Sequence, residues 1–367
     1  MRSLSEIGKE EEAGRLPYVF RKVAFFLLVR WLLSSCEIDV TCRLHYTARA
    51  SCDVDEHATH ISAWHQEYDQ LSRGCFEGSV RELWIDAPRL QVFHEHTGQQ
   101  TSQRCLPWKG AVWFGIPDGQ NSEPLHFSGQ LQPVDRDRVV LSARAEDGFV
   151  LRTPQNFGIY GVVIDEAWLC TKLEHLGLPP HLPLARQGAA SAHAAFLAPH
   201  LHVALCQTIE SMLSLGASGE ATRGWGRATL CGLTDQLMAL LGGTSHDQGF
   251  AAHLQSSQRR LASVMTARAL VAHPLNHAMS LEDLCEQLHL TPRTLLNHFQ
   301  NAVGESPVKF LRAVRLNACR RVLRACDSTV QDIAAQWGFF HMGRFSHEYK
   351  SMFGELPSQT RRAHTSP

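Results

Sequence analysis

The hydrophobic and polar positions of this chain follow one period in its first half and another in its second. Between about 46 and 169, apolar residues fall in short β-branched or aromatic runs separated by Gly, Pro, Asp or Asn, which is the pattern of β-strands. Strands at this spacing are typical of an antiparallel β-barrel or jelly roll, and we predict such a domain over residues 46–175. The runs are 81–85, 90–97, 111–116, 138–143, 149–152 and 160–164.

Apolar residues three or four apart take over after a proline-rich stretch at 177–188. They predict two amphipathic helices, at 193–214 and 221–241, which form a helical hairpin within residues 190–245. An apolar face of this kind belongs either to the intramolecular core or to a dimer interface, and the sequence leaves both open. The glycine-containing stretch 242–249 is the predicted hinge to the next domain.

The C-terminal part of the chain contains a duplicated segment, because residues 280–307 and 329–357 repeat one pattern. In each copy a Ser or Thr (Ser280, Thr329) precedes the first helix, and an aspartate follows three residues later, which is a capping-box arrangement. A duplicated helix-turn-helix is typical of proteins that read DNA. We therefore predict an α+β multidomain chain that ends in an all-α domain, residues 258–364, with two helix-turn-helix modules.

The second helix of each module has one apolar row and one polar face. Leu295, Phe299 and Val303 lie four residues apart, so they share one side of a helix and are predicted to be buried. The opposite side carries residue types that bind bases and phosphates, such as Arg for guanine, Asn and Gln for adenine, and Leu for a thymine methyl group. The candidate DNA-binding residues are Arg293, Thr294, Leu296, Asn297 and Gln300 in the first module and Gly343, Arg344, His347 and Lys350 in the second.

A third long helix is predicted between the modules, with Ser306 as its N-cap and Pro307 at its first position. About 19 residues at 1.5 Å each make a rod of roughly 28 Å, comparable with the turn of B-DNA, which is about 34 Å. Such a rod can place two recognition helices in successive major grooves. We expect its arginines either to face phosphates or to pair with acidic residues of the first helix of each module. These arginines are Arg312, Arg315, Arg320, Arg321 and Arg324.

Charge is divided unevenly along the 367 residues. Residues 259–367 hold 14 Lys and Arg against 8 Asp and Glu, whereas the rest of the chain holds 21 against 28. That asymmetry is typical of a nucleic-acid reader joined to a sensor. The 11 cysteines are scattered and form no C-x-x-C pair, which indicates reduced thiols in a cytoplasm and argues against a disulfide scaffold or a zinc site.

Residues 1–45 form an N-terminal extension that we leave unassigned. Its apolar run at 23–33 is interrupted by Arg30 and is shorter than the roughly 20 residues that cross a bilayer. We interpret it as a short helix or as sequence upstream of the true start, and not as a membrane anchor.

The amino-acid sequence of the second module resembles that of a known family. D-I-A-A-Q-W-G-F at 332–339 and G-R-F-S-H-E-Y-K-S-M-F-G-E-L-P-S at 343–358 resemble the second helix-turn-helix of the AraC/XylS family of bacterial transcription regulators, and the likeness covers about residues 259–363. The resemblance implies a cytoplasmic regulator, not an enzyme, that binds promoter DNA and responds to a small-molecule effector. It also implies activation through RNA polymerase, and a homodimer is a further expectation.

Three segments upstream extend the likeness to one branch of that family. Residues 57–71, 90–98 and 113–117 are similar to the regulators of bacterial ethanolamine-utilisation operons. The resemblance implies that ethanolamine together with adenosylcobalamin is the effector. It assigns no effector-binding residue.

His94-Glu95-His96 comes nearest to a metal motif. Alternation puts both histidines on one face of a strand, but Gln99 and Gln100 stand where a cupin places its carboxylate. We therefore predict structural or ligand-lining histidines, no metal site, no resident cofactor and no enzyme. The alternatives are a metal-dependent cupin-like enzyme and a ligand-free oligomerisation domain, each fused to the DNA-binding module.

Aromatic residues are concentrated in the β-rich region. They either line an effector pocket or pack against one another inside the domain, and packing is the more common role. These residues are Trp64, Tyr68, Trp84, Trp108, Trp113 and Phe114.

Overall fold

A computed structural model describes most of the chain from residue 43 onward. The described ranges are 43–86, 89–120, 123–132, 139–146, 148–175, 177, 192–220, 224–242, 251–273, 279–326 and 328–365. The apolar run at 23–33, and with it the interpretation of the N-terminal extension, lies outside them. No helix within these ranges is long and apolar enough to cross a membrane.

Strands fill the first half of the described chain. The strands are β1 (Leu44–Ser51), β2 (His65–Gln70), β3 (Gly78–Ile85), β4 (Leu90–Thr97), β5 (Thr101–Leu106), β6 (Ala111–Pro117), β7 (Leu125–Phe127), β8 (Gln130–Gln132), β9 (Val139–Arg144), β10 (Phe149–Arg152), β11 (Phe157–Asp165) and β12 (Ala192–Phe196).

Helices make up the second half, and two others lie among the strands. The helices are α1 (Val54–His57), α2 (Glu166–His175), α3 (Pro199–Ala217), α4 (Gly224–Gly242), α5 (Ala251–Val271), α6 (Leu281–Gln287), α7 (Pro292–Val303), α8 (Pro307–Ala325), α9 (Val330–Gln336), α10 (Met342–Phe353) and α11 (Pro357–Thr365).

The strands form two antiparallel sheets that do not close into a barrel, so of the two predicted architectures, barrel or jelly roll, the barrel is wrong. One sheet has seven strands in the order β1-β3-β4-β11-β6-β9-β12, and the other has five in the order β2-β5-β10-β7-β8. Both faces of the larger sheet are apolar, because its central strands alternate between two cores: Val112 and Phe114 face helices, whereas Trp113 faces the smaller sheet. Each face is therefore covered by a separate layer, and the sheet does not have to close on itself.

The helical hairpin covers the outer face of the larger sheet. Leu205 and Ile209 of α3 and Leu237 of α4 are buried in the same core as the sheet residues. The predicted first helix is wrong at its beginning, because residues 192–196 pair with β9 as an edge strand and the helix begins at Pro199. Proline is favoured in the first turn of a helix and cannot continue a ladder of backbone hydrogen bonds, so it marks this change.

The C-terminal helices share a third core. Leu284 of α6, Phe299 of α7, Val314 of α8 and Tyr349 of α10 all belong to it and are at most 1% exposed. Leu71, which follows β2, enters the same core. The β-rich part of the chain therefore packs directly against the helix-turn-helix region.

Candidate nucleic-acid interface

The first helix-turn-helix module consists of α6 and α7. Ser280 accepts a hydrogen bond from the backbone N–H of Asp283 at 3.1 Å, and the Asp283 carboxylate accepts one from the Ser280 N–H at 2.7 Å. The predicted capping box is thus present, and both bonds satisfy N–H groups that a helix start leaves unpaired. Thr291 caps α7 in turn by accepting from the Thr294 N–H at 3.2 Å.

The second module, α9 and α10, repeats this arrangement with two differences. Thr329 accepts from the Asp332 N–H at 3.1 Å, but the Asp332 carboxylate accepts from the Thr329 hydroxyl rather than from its backbone, so only half of the predicted box is present. The N-cap of α10, His341, makes no side-chain capping hydrogen bond. The two modules therefore share a topology while starting their recognition helices differently.

The apolar rows of α7 and α10 are buried as predicted. Leu295, Phe299 and Val303 are at most 1% exposed, and Phe345 and Tyr349 of α10 match them. Because these rows face the core, the opposite faces of the two helices point to solvent.

Most candidate DNA-binding residues lie on those exposed faces. Leu296 is 43% exposed, and Thr294 is half-buried with its hydroxyl 2.8 Å from that of Thr291. The geometry therefore leaves Thr294 occupied in capping, whereas its exposed neighbours are unobstructed. The exposed candidates are Arg293, Leu296, Asn297 and Gln300 on α7 and Gly343, Arg344, His347 and Lys350 on α10.

Arg344 has a carboxylate partner that the sequence analysis missed. Its Nε donates to Glu348 at 2.9 Å, and Arg312 of α8 donates to the same carboxylate at 2.6 Å. Burial alone would raise the pKa of Glu348, but the hydrogen bonds and charges of the two arginines outweigh it and lower that pKa. The i, i+4 spacing of Arg344 and Glu348 was the available signal.

Helix α8 is the predicted rod of 19 residues. It begins as expected, with Ser306 as N-cap and Pro307 in the first turn. Near its middle, Asn317 exchanges two hydrogen bonds with Gln70 of β2: its amide donates to the Gln70 carbonyl at 2.9 Å, and its oxygen accepts from the Gln70 N–H at 3.1 Å. The rod is therefore held at its centre by a strand of the smaller sheet.

The arginines at the C-terminal end of α8 correct the prediction made for them. Within the described residues they do not pair with the first helices of the modules, and most of their partners are carboxylates of the β-rich region. Arg320 donates to Asp53 at 3.0 Å and also pairs with Glu355, and Arg324 pairs with Asp53 as well. Asp53 is 267 residues from Arg320 and farther still from Arg324, so no local pattern reveals this partner.

Arg321 and Arg268 complete this group, which we call the junction arginines (Arg268, Arg320, Arg321 and Arg324). Arg321 donates to Asp55 at 2.7 Å and to Asp69 at 3.0 Å, and Arg268 of α5 donates to Asp69 at 2.7 Å and to Glu67 at 2.7 Å. Asp69 is 0% exposed, so its charge depends on these two cations. The alternation of Glu67 and Asp69 on one face of β2 was a usable sign of a shared partner.

The remaining arginines of α8 have other roles. Arg312 holds Glu348, and Arg315 donates to the Met279 carbonyl at 2.7 Å, just before α6. Neither residue pairs with an acidic side chain of α6 or α9. Arg315 instead stabilises the entry of the chain into the first module.

Two neighbouring residues of β4, His94 and Glu95, each pair with a side chain outside the strand. His94 lies 3.2 Å from the Asp118 carboxylate, and Glu95 on the opposite face lies 2.9 Å from His57. Burial lowers the pKa of His96, and the neighbouring His94 lowers it further. Within the described ranges, no group of three or more His, Cys, Asp or Glu is arranged to hold a metal ion.

Five of the six candidate aromatic residues pack in the core between the sheets, whereas Phe114 faces the helices. Trp113 stacks on Phe149 with ring centres 4.1 Å apart, and Trp64 meets Trp113 edge-on at 6.5 Å. Trp84 and Trp108 form a second pair at 4.9 Å. Packing therefore accounts for these four tryptophans, as offset and edge-to-face contacts are the favoured arrangements of such rings.

Residues 284–363 match the family model described as a helix-turn-helix domain. The chain is 40% identical over 91 residues to the XylDLEGF operon transcriptional activator of Pseudomonas putida, an alignment that covers 24% of this chain and 28% of that relative. It is 36% identical over 94 residues to the transcriptional activator RhaR of Pectobacterium carotovorum, covering 26% and 32%. The chain thus spans about a third or less of the length of these two relatives.

Two solved structures are also similar. The AraC-like transcriptional activator CuxR aligns over 80% of this chain and all of its own, at 12% identity and a TM-score of 0.35. A transcriptional regulator with an AraC-type DNA-binding domain from Chromobacterium violaceum covers 31% of this chain and 97% of its own, at 24% identity and a TM-score of 0.27.

Proposed function

We propose that this chain, whose C-terminal region is a helix-turn-helix domain of the AraC/XylS type, regulates transcription by binding promoter DNA sequence-specifically in the cytoplasm. The observation that carries the proposal is the pair of exposed polar faces on α7 and α10, joined by a helix of 19 residues. A single chain can then contact two successive major grooves. The relatives named above are activators, which supports activation through RNA polymerase.

Within this proposal, α7 and α10 read bases with different chemistry. Arg293, Asn297 and Gln300 on α7 include the pairings for guanine and adenine. On α10, Arg344 and His347 face the groove, and Lys350 serves a phosphate. Leu296 meets a thymine methyl group, and Gly343 lets the helix approach the DNA closely.

Selection of full-length protein on a random duplex library tests this function. We expect enriched sites with two short motifs whose centres lie about 10 base pairs apart, because both helices approach one side of the duplex. Arg344→Ala should reduce discrimination at one motif by roughly 1 to 3 kcal/mol, and Arg293→Ala should do the same at the other. Arg49→Ala, an exposed arginine of β1, is the matched control.

Two outcomes would count against the proposal. Failure to enrich any motif would remove sequence-specific binding. Equal losses on selected and random duplexes would instead make Arg293 and Arg344 phosphate anchors, with base reading elsewhere.

The finer proposal is that the β-rich domain senses ethanolamine together with adenosylcobalamin, supported by the likeness of residues 57–71, 90–98 and 113–117. Effector binding would shift the population between arrangements of this domain and the DNA-binding module. Homodimerisation through the hairpin of α3 and α4 belongs to the same proposal.

Thermal unfolding with and without ligand tests the effector. A ligand at about 100 times its dissociation constant adds about 2.7 kcal/mol to the free energy of unfolding. We expect a shift with both compounds together that exceeds the sum of the shifts with each one alone. The absence of any shift with either compound or with both would rule this effector out while leaving DNA binding untouched.

A further inference from the structure

A loop of the β-rich domain is fastened to the end of the second recognition helix. The Gly74 N–H donates to the carbonyls of Ser351 and Met352, at 3.1 and 3.2 Å. These carbonyls belong to the last turn of α10, where a helix leaves its C=O groups without internal partners. The loop supplies the missing donor, so it moves with α10 as one unit.

The same loop is stiffened from within. The Gln70 side-chain amide donates to the Gly74 carbonyl at 2.7 Å and to the Met352 carbonyl at 2.6 Å, and the Leu71 N–H donates to the Gln100 carbonyl at 2.8 Å. These bonds fix the backbone on both sides of Arg73. The backbone position of Arg73 relative to α10 is therefore set by these bonds.

Arg73 is an exposed cation without a partner in the described part of the chain. Its guanidinium makes no hydrogen bond and no ion pair there. It lines a cleft of about 840 Å³ that is also lined by Lys309, Arg344 and His347. A residue of the β-rich domain thus shares one cleft with candidate DNA-binding residues.

The acidic residues of this cleft are mostly neutralised by other cations. Glu305 pairs with Arg152 at 3.0 Å and with Lys309 at 2.9 Å. Glu348 is shared by Arg312 and Arg344, as described above. Glu123, the third, contributes negative charge near Arg152. Arg73 therefore retains a positive charge that nothing in its own loop balances.

The length of α10 determines what lies near Arg73 when the helix is in a groove. Its 12 residues correspond to about 18 Å, whereas the major groove is about 12 Å wide. With Arg344 and His347 over the bases, the last turn of α10 reaches the edge of the groove, where the phosphates are. The loop that is bonded to this turn is then beside the DNA backbone.

Resting on the proposed function, we infer that Arg73 binds a backbone phosphate next to the site read by α10, which makes the β-rich domain part of the DNA interface. Its partner is any duplex phosphate, so the contact adds affinity without sequence preference. It also gives the β-rich domain a direct influence on DNA affinity, because any movement of the loop moves this cation.

The test is the salt dependence of binding by the full-length protein to a labelled random-sequence duplex of about 40 base pairs, between about 50 and 200 mM salt. Arg73→Ala should weaken binding roughly five-fold and reduce the slope of log K against log salt by about 1. Arg73→Lys should retain most of the slope, since it keeps the charge. Arg49→Ala should match the wild type, because Arg49 is equally exposed and does not line the cleft.

The outcomes separate this inference from the function on which it rests. If the wild type binds and Arg73→Ala has the same slope as Arg49→Ala, the Arg73 contact is refuted and the DNA-binding function stands. If the wild type binds no duplex, both fail. Thermal unfolding checks each variant, and an unchanged midpoint for Arg73→Ala is expected because its side chain is exposed and unpaired.

Discussion

The arginines of the C-terminal region divide into two groups with opposite surroundings. The junction arginines are held by carboxylates of the β-rich domain, and Arg268 is only 2% exposed. Arg293 and Arg344 stand on the exposed faces of α7 and α10, and the Arg344 side chain is 70% exposed. The same residue type on neighbouring helices thus stabilises an interface in one place and is available to DNA in the other. Burial and partners, rather than residue type, decide the role.

The largest effect is expected from removing the buried acid of the junction, Asp69. Asp69→Asn should lower the free energy of unfolding by about 3 kcal/mol or more, because two cations lose the carboxylate between them. Asp55→Asn is the matched variant and should change it by less than about 1 kcal/mol. Burial would raise the pKa of Asp69, but Arg268 and Arg321 overcome it and lower that pKa, whereas at Asp55 burial dominates and the pKa is raised.

Urea unfolding followed by tryptophan fluorescence measures both variants. Similar losses for Asp69→Asn and Asp55→Asn would contradict the distinction between the two carboxylates. DNA binding of the Asp55→Asn protein should follow the salt dependence of the wild type, since neither Asp55 nor its partner Arg321 is a candidate DNA-binding residue.

A smaller effect is expected from a neutral histidine at the same domain contact. His126 lies against Gly304, the C-cap of α7, and burial together with the nearby Arg152 lowers the pKa of His126 to about 4. The unfolded chain takes up this proton near pH 6.5, so stability falls as the pH drops from about 6.5 towards 4. Between about pH 6.5 and 5, the free energy of unfolding should therefore fall by about 1 to 2 kcal/mol less in His126→Gln than in the wild type.

Unfolding midpoints in urea at several pH values give this difference. Equal pH dependence in the two proteins would contradict a lowered pKa of His126 in the folded protein. His45→Gln, at an exposed histidine of β1 outside this contact, is the control.

The smallest effect is expected at Arg344, one of the two exposed arginines. Glu348→Gln removes the charge that balances Arg344 and Arg312, so it should raise affinity for random duplex a few-fold and steepen the salt slope by up to about 1. Fluorescence anisotropy over the same salt range measures it. A weaker affinity would indicate that Glu348 positions Arg344 for a base, and that orientation matters more than net charge.

Sequence patterns identified the strands that pack on both faces and the helices with a strong apolar row. All six predicted runs are strands, because β-branched and aromatic residues at those positions fill two cores. The edge strand β12 was missed because Ala192–Phe196 contains no β-branched residue, and pairing with β9 decides its conformation. The short β7 and β8, with three residues each, carry too little pattern to be recognised.

The candidate DNA-binding faces followed from helical periodicity alone, and their burial pattern matches. The ion pairs of the junction arginines could not be predicted from the sequence, because the partners are distant in it: Arg321 and Asp55 are 266 residues apart. A single sequence reports which side of a helix is polar. It does not report whether that side meets water, DNA or the acidic surface of another domain.

Asn317 has a mechanical consequence through its place in α8. It stands near the midpoint of a rigid rod and is bonded to β2 at that point, so a rotation of the rod about it would have lever arms of about 14 Å on either side. A tilt of about 5° around it displaces the two ends by roughly 1 Å in opposite senses. One small rotation would bring one helix-turn-helix module closer to the duplex and move the other away from it.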